Sequence, residues 1–232
     1  MKCIRRILAL VILIAVCAGG FVAGKGYRMY QEALEAKSLA QIRKETVEDE
    51  NFIPADELPE IYKEAVVSVE DKRFYRHKGI DPVGILRAFY HNLRAGELLE
   101  GGSTITQQVA KNFYFDMDQT VERKFAEIFM AAAIEKEFTK DEILELYVNH
   151  IYFGDGYDCV REASIGYFQK EPGQMNAYES TMLAGIPNAP SVYAPTKNPE
   201  LAGQRQKQVL ETMVKNEMIT EEERKEILAQ AP

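Results

Sequence analysis

The chain has 232 residues, of which 46% are hydrophobic and 28% charged, and its formal net charge is −8. This length supports one core of ordinary size and is too short for two large domains, and the composition excludes collagen-like, low-complexity and disulfide-stapled proteins. The acidic balance argues against nucleic acid as a partner, so an anionic ligand would have to meet a local cluster of cations.

The N-terminal segment predicts a membrane anchor. Lys2, Arg5 and Arg6 precede an uncharged run from Ile7 to Gly24 that is rich in Leu, Ile, Val and Ala. As a helix, this run comes close to the ~30 Å thickness of a hydrocarbon core. Basic residues before it favour a cytoplasmic N-terminus, with the rest of the chain outside the cytoplasm. A cleaved signal peptide is the alternative, but no A-x-A cleavage site follows the run.

The composition predicts three segments along the chain. Residues 1–25 are the basic tip and the transmembrane anchor, residues 26–51 a polar helical stalk, and residues 52–232 a single domain. No Gly/Ser-rich or Pro-rich break divides the last segment. Cys159 is its only cysteine, so no disulfide can form within it.

The domain is predicted to be all-α, because apolar residues recur at helical spacing and no stretch alternates as a strand does. Thr104, Thr139 and Thr220 each precede a Gln or Glu by three residues, which is the spacing of a capping box at a helix start. Such a cluster of helices can bury a working core.

One predicted helix, from Pro82 to Arg94, carries large apolar residues on one face, namely Ile85, Leu86, Phe89, Tyr90 and Leu93. This face fits a helix lying in a membrane interface and fits a core helix equally well. Periodicity alone does not separate the two.

The first motif places two carboxylates, Glu70 and Asp71, at the end of an apolar helix. Neighbouring like charges repel, and the C-terminal end of a helix disfavours anions, so something other than helix stability has placed them there. Catalysis is one explanation. The other is a solvated turn in which Asp71 and Asp81 accept bonds from backbone amides and His77 satisfies a loop carbonyl.

The second motif, Gly101 to Asn112, combines a glycine turn, a threonine cap and a polar helical face. Gln107, Gln108 and Lys111 share that face, and the glycines let backbone N–H groups approach a ligand closely. This set favours binding of oxyanions or sugars over the alternative, an ordinary capped helix with a polar outer face.

The third motif places Arg123 and Glu127 one helical turn apart. By itself this spacing is typical of a solvated ion pair worth only ~0.3 to 0.5 kcal/mol.

Taken together and in order, these segments resemble glycosyltransferase family 51, the peptidoglycan glycosyltransferases that polymerise lipid II. The resemblance extends from about Phe52 to Thr220. It rests on six motifs: E-D-x-x-F-x-x-H-x-G-x-D at Glu70–Asp81, G-G-S-T-I-T-Q-Q-x-x-K-N at Gly101–Asn112, R-K-x-x-E at Arg123–Glu127, K-x-E-I-L-E-x-Y at Lys140–Tyr147, Y-F-G-x-G at Tyr152–Gly156, and L-A-G-x-P-x-A-P-S at Leu183–Ser191.

The resemblance implies a lysozyme-like helical domain with a smaller membrane-associated subdomain. It implies polymerisation of lipid II into linear glycan strands by inverting transfer, with release of undecaprenyl pyrophosphate. The alternatives are a lysozyme-like glycan hydrolase and an inactive membrane-anchored scaffold for cell-wall assembly. The implied location is the bacterial cytoplasmic membrane, with a single span and the catalytic domain outside the cytoplasm.

By the same resemblance, Glu70 is the general base, and Glu127 assists departure of the pyrophosphate directly or through a divalent ion. The implied substrate-binding residues are Asp71, Phe74, Ser103, Thr104, Gln107, Gln108, Lys111, Asn112 and Arg123. No cofactor is obligatory, although Mg or Mn is allowed. The implied partners are lipid II, the growing strand, membrane lipid, a moenomycin-type inhibitor and other cell-wall synthesis proteins.

Three residues depart from the family pattern. Gln119 replaces a usual arginine, and Cys159 and Gln169 replace usual glycines; if those glycines serve tight turns, the local backbone at the two positions must differ here. Cys159 is expected to be a small, semi-buried residue rather than a reactive thiol. The sequence contains no S-x-x-K, S-D-N or K-T-G motif, which predicts a monofunctional form that β-lactams do not acylate.

Overall fold

A computed structural model describes residues 2–96, 101–115 and 120–231, and every regular element in these ranges is helical. The all-α prediction is therefore confirmed. In chain order the α-helices are α1 (Lys2–Ala36), α2 (Leu39–Glu48), α3 (Glu60–Glu70), α4 (Pro82–Ala95), α5 (Ile105–Tyr114), α6 (Val121–Glu137), α7 (Lys140–Val148), α8 (Val160–Phe168), α9 (Ala177–Gly185), α10 (Pro190–Tyr193), α11 (Pro199–Lys215) and α12 (Glu221–Leu228).

The predicted capping boxes begin α5, α7 and α12, where Thr104, Thr139 and Thr220 are the cap residues. In each, the threonine hydroxyl accepts a bond from the backbone N–H three residues later. The Gln or Glu at that later position accepts a bond from the cap's own N–H. Two of the N–H groups that a helix start leaves unpaired are thereby satisfied.

Helix α3 lies at the centre of the domain and packs against α9 and α11. Tyr62 and Val66 on α3 meet a core that includes Leu183 on α9 and Val209 on α11, and these side chains are at most 2% exposed. Because α9 and α11 both pack against α3, the C-terminal end of α3 at Glu70 is held in position.

Helix α1 is continuous from the apolar N-terminal run into the folded domain. Residues Leu8–Ala36 are long and apolar enough to cross a membrane, and this is the one such helix among the described residues. These 29 residues extend about 43 Å, beyond the ~30 Å of a hydrocarbon core, so the last turns lie outside it. The finding supports the predicted anchor.

The segment predicted as a stalk packs on the domain. The rings of Tyr27 and Tyr30 lie 5.3 Å and 6.2 Å from the ring of Phe129 on α6. Farther along, Ile42 on α2 is completely buried in the core. Residues 26–51 therefore contribute contacts as well as length, while the boundaries at residues 25 and 51 stay a prediction.

Helix α4 exposes the apolar face that its sequence predicted. Leu86, Phe89 and Leu93 are 67%, 66% and 71% exposed. The core-helix alternative is therefore wrong, and an exposed apolar face of this kind is typical of a membrane or partner contact.

The two glycine replacements behave differently from each other. Cys159 has φ −149°, which is extended backbone that any residue adopts, and it is only 6% exposed. Burial raises the pKa of its thiol, which agrees with the expected unreactive residue. Gln169 ends α8 with φ +56° and ψ +37°, in the left-handed region that favours glycine. The expectation of an altered backbone is wrong at Gln169, where a larger residue adopts the glycine conformation.

Replacing Gln169 with glycine should stabilise the fold, because a non-glycine residue in the left-handed region costs ~1 kcal/mol or more. We expect Gln169→Gly to raise Tm by about 2 to 4 °C in thermal unfolding. Gln204→Gly, at an exposed position inside α11, is the control and should lower Tm by a similar amount. A fall in Tm with Gln169→Gly would show that the glutamine side chain contributes more than its backbone costs.

Candidate active site

The adjacent carboxylates of the first motif face in different directions. Asp71 ends α3 and is 6% exposed. Its Oδ2 accepts bonds from His77 Nε2 at 2.8 Å and from the backbone N–H of Ile105 at 3.1 Å. The N–H of Gly79 donates to His77 Nδ1 at 3.2 Å, so His77 carries its proton on Nε2. Asp71 therefore ties the end of α3 to the start of α5.

Glu70 faces a cleft, and Gln108 Nε2 donates to its Oε2 at 2.7 Å. Burial raises the pKa of Glu70 above its ordinary value of 4.5, while the Gln108 bond and the positive charges of Arg205 and Lys111 oppose that rise. A carboxylate with a raised pKa is a stronger base.

Glu127 on α6 is 2% exposed, and each of its oxygens meets a cation. Oε1 accepts from the guanidinium of Arg123, and Oε2 accepts from Lys124 Nζ at 2.8 Å. Lys124 Nζ also donates to Ser103 Oγ at 2.7 Å. The solvated ion pair that the spacing suggested is instead a buried cluster.

The cations of this cluster repel one another. Burial, and then the positive charges of Arg123 and Lys111, lower the pKa of Lys124 to about 8. Burial and the charge of Arg123 likewise lower the pKa of Lys111 on α5. An anion bound among these three cations would relieve their repulsion.

A cavity of about 370 Å³, which we call the Glu127 cavity, joins these groups. Its polar lining includes Glu70, Ser103, Gln107, Gln108, Lys111, Arg123, Lys124 and Glu127. The two glutamates that lie far apart in the sequence therefore converge on one cleft, and Lys111 faces the same cleft.

A neighbouring cavity of about 420 Å³, which we call the Arg205 cavity, also reaches Glu70. Its basic side chains are Lys72, Arg87, His91, Arg205 and Lys215. Both cavities are lined by Val69, Glu70, Gly101 and Asn188, so Glu70 lies where they meet.

The remaining predicted residues lie elsewhere. Phe74 is fully buried, and Lys140 Nζ lies 4.4 Å from its ring centroid, so its position indicates packing rather than contact with a ligand. Thr104, 2% exposed, caps α5 and donates to the carbonyl of Gly79 at 2.7 Å. Asn112 does not line the Glu127 cavity. Gln119 lies outside the described residues.

Sequence reasoning missed several basic residues of the two cavities, among them Lys124 and Arg205. Lys124 stands inside the R-K-x-x-E motif, three residues before Glu127 and therefore on the same helical face, which was a usable signal. Arg205 belongs to none of the six motifs and reaches the site only because α11 packs on α3.

The residues around Glu127 do not suit a divalent ion. Both of its carboxylate oxygens already bind cationic side chains. No group of three or more His, Cys, Asp or Glu is placed to hold a metal within the part of the chain that the structure describes. Metal ligation by Glu127 would require Arg123 and Lys124 to move away.

The fold and the site together define a helical, membrane-anchored enzyme domain with a cationic cleft. The chain belongs to the transglycosylase family, whose sequence profile matches residues 35–214. It is 47% identical over 178 residues to Penicillin-binding protein 1A of Neisseria gonorrhoeae, covering 76% of this chain and 22% of that relative. The chain thus spans about a fifth of the length of that relative.

A relative of more similar length is a Cupriavidus necator protein whose name assigns it provisionally to the transglycosylases. It is 47% identical over 164 residues, which cover 71% of each chain. The crystal structure of Penicillin-Binding Protein 1A from Haemophilus influenzae matches 55% of this chain and 16% of its own, with 23% identity and a TM-score of 0.38.

The half-buried charge of Glu70 should reduce stability at neutral pH. A carboxyl whose pKa is raised by folding contributes stability that is present at acidic pH and is lost as pH rises through the raised value. We expect Glu70→Gln to have a Tm equal to or above that of the wild type at pH 7, and the gap to close as pH falls below about 4.5. Thermal unfolding from pH 4 to 8 measures this, and a variant less stable than wild type at pH 7 would contradict it.

Proposed function

We propose that this protein polymerises lipid II into linear peptidoglycan glycan strands by inverting glycosyl transfer and releases undecaprenyl pyrophosphate. The observation that carries the proposal is the Glu127 cavity, where a candidate base, Glu70, faces three cations on α5 and α6. Membership in the transglycosylase family supports it. Lipid-linked sugar diphosphates carry both a sugar hydroxyl, from which such a base can take a proton, and an anion, which such cations can bind.

Glu70 would act on the C4 hydroxyl of the acceptor sugar. A hydroxyl is a poor nucleophile unless its proton leaves as the new bond forms, and a positioned carboxylate can take that proton. Burial strengthens Glu70 as a base, and the amide of Gln108 fixes the orientation of its carboxylate. The proton therefore moves to Glu70 while the oxygen attacks the anomeric carbon of the donor.

The leaving diphosphate would be held by Lys111, Arg123 and Lys124. This leaving group is already an anion, so it needs neutralisation of charge more than a proton, and cations fixed in a partly dehydrated cleft provide it. Glu127 holds Arg123 and Lys124 in place. We therefore assign Glu127 to orienting these cations, in place of direct assistance to the leaving group.

The Arg205 cavity would hold the acceptor lipid II, and the Glu127 cavity the growing strand. Both substrates carry a diphosphate, and both cavities are rich in basic side chains. Glu70 lies where the cavities meet, which is where the acceptor hydroxyl must approach the donor carbon. This position distinguishes Glu70 from Glu127, which lines only one of the two cavities.

The membrane partners follow from α1 and α4. Helix α1 would span the bacterial cytoplasmic membrane once, with the domain outside the cytoplasm, since the basic residues precede the span. The exposed apolar face of α4 would rest in the interface of the outer leaflet, close to the lipid chains of both substrates. A moenomycin-type inhibitor is expected to block polymerisation, and other cell-wall synthesis proteins are expected neighbours.

Glycan hydrolysis is less well supported. Glycosidases that use two carboxylates need a second one able to act as base or nucleophile. Here Arg123 and Lys124 occupy both oxygens of Glu127. An inactive scaffold would not require a half-buried base beside a cationic cleft.

Polymerisation of labelled lipid II by the full chain tests the proposal. We expect glycan chains from the wild type and a loss of at least about 100-fold in rate with Glu70→Gln, because a general base contributes 10²- to 10⁴-fold. Glu64→Gln is the matched control, since Glu64 is a half-buried carboxylate on the same helix outside both cavities. Full activity of Glu70→Gln, or release of soluble fragments from sacculi, would contradict the proposal.

Polymerisation should also depend on the charge of Lys124. Lysine is protonated below its pKa, so kcat/KM should fall as pH rises above about 8. Arginine keeps its charge there, and Lys124→Arg should shift this alkaline limb to higher pH. Lys44→Arg, at an exposed site on α2, serves as the control. The role given to Lys124 fails if the Lys124→Arg profile keeps its alkaline limb near pH 8.

A further inference from the structure

The anchor helix α1 approaches the domain closely at Gly26. This residue of α1 is buried against α6. A Cβ atom added there would lie 2.5 Å from Phe125 Cβ, 2.7 Å from the carbonyl oxygen of Glu122 and 3.1 Å from the backbone nitrogen of Ala126. Two of these three atoms are backbone, so even alanine would force the helices apart.

This contact lies at the expected membrane surface. About 20 residues cross a hydrocarbon core, which takes a helix that enters at Leu8 to about Tyr27. On one side of Gly26, Lys25 Nζ lies 3.7 Å from Glu122 Oε1. On the other, the ring of Tyr27 meets Phe129 edge to face at 5.3 Å. Polar and aromatic contacts therefore flank the point where the two backbones touch.

Helix α6 lies between α1 and the cleft. Glu122, Phe125 and Phe129 meet α1, whereas Arg123, Lys124 and Glu127 line the Glu127 cavity. Pushing α6 away from α1 would therefore move these three cavity groups toward Lys111 on α5 and toward Ser103, and would narrow the cleft. A hydrogen bond of 2.7 Å from Lys124 Nζ to Ser103 Oγ connects α6 directly to the part of the cleft that other segments form.

We propose that Gly26 is a positioning residue for glycosyl transfer: by letting α1 touch the backbone of α6, it sets the distance between the cations of α6 and the rest of the cleft. Its kinetic consequence rests on the proposed function. The geometric consequence, a change in the surroundings of Lys124, is independent of the proposed function.

The test uses the full chain in lipid vesicles, with Gly26→Ala compared with Gly24→Ala. Gly24 lies on the same helix, and a Cβ there would meet nothing within 4 Å. Because misplacement by about 1 Å can cost up to about 100-fold in rate, we expect kcat/KM for lipid II to fall about tenfold to 100-fold with Gly26→Ala. We expect Gly24→Ala to match the wild type.

A second readout does not depend on activity. Competitive labelling with acetic anhydride, read by peptide mass, reports the pKa of Lys124, whose charged neighbours are Arg123, Glu127 and Lys111. We expect a pKa of about 8 in the wild type and in Gly24→Ala. In Gly26→Ala it should fall further, because α6 is pushed toward the cleft and Lys124 comes closer to the positive charge of Lys111.

The outcomes are distinct. Unchanged labelling and kcat/KM in Gly26→Ala overturn the proposal, and so does a lower Tm with both unchanged, since that shows a merely structural role. If the wild type forms no glycan, the proposed function fails, and the labelling shift alone decides the role of Gly26. If Gly26→Ala does not fold, Phe129→Ala, which leaves space at the same contact and lets α6 move toward α1, should give a smaller shift of the Lys124 pKa in the opposite direction, and the absence of that shift overturns the proposal.

Discussion

The buried carboxylate of Asp71 joins the segments that form the cleft. It accepts a bond from His77 and another from the N–H of Ile105, in the first turn of α5, where unpaired N–H groups and the helix dipole favour an anion. Asp71 directly follows Glu70, and Ile105 lies three residues before Gln108. One carboxylate thus sets the geometry of the Glu70–Gln108 pair. The placement of two acids at a helix end, which costs energy locally, is explained because one faces inward and the other faces the cleft.

The two cleft glutamates differ because their neighbours differ. Glu127 touches two cations, which hold its charge in place. Glu70 accepts a hydrogen bond from the amide of Gln108, and burial raises its pKa. The positive charges of Arg205 and Lys111 oppose that rise without a direct bond to the carboxylate. Separate environments for two carboxylates are how one site obtains a base and a fixed charge at the same pH. The mutual repulsion of Lys111, Arg123 and Lys124 adds a preference for anions in a chain whose net charge is −8.

Local signals in the sequence predicted the helices and the outline of the site. A capping box is a property of four consecutive residues, so Thr104, Thr139 and Thr220 could be assigned without knowledge of the fold. What a helix packs against is not a local property. The apolar face of α4 has the same periodicity whether it meets a core or a membrane, and only the exposure of Leu86 and Leu93 separates the two. The left-handed backbone at Gln169 could not be predicted either, because glutamine has no preference for that conformation.

Sequence reasoning missed contacts between helices that lie far apart in the sequence. The contact between α1 and α6 is the clearest example. Residues 26–51 read as a spacer because their apolar positions are few, yet Gly26 needs no apolar side chain to bring two helices together. An uninterrupted α1 differs physically from a flexible tether, whose end-to-end distance fluctuates with its length. If donor and acceptor both hang from lipid, their diphosphates lie at one height above the bilayer. Under the proposed function, a rigid helix that packs on the cation-bearing α6 would hold the cleft at that height, which a flexible linker could not do.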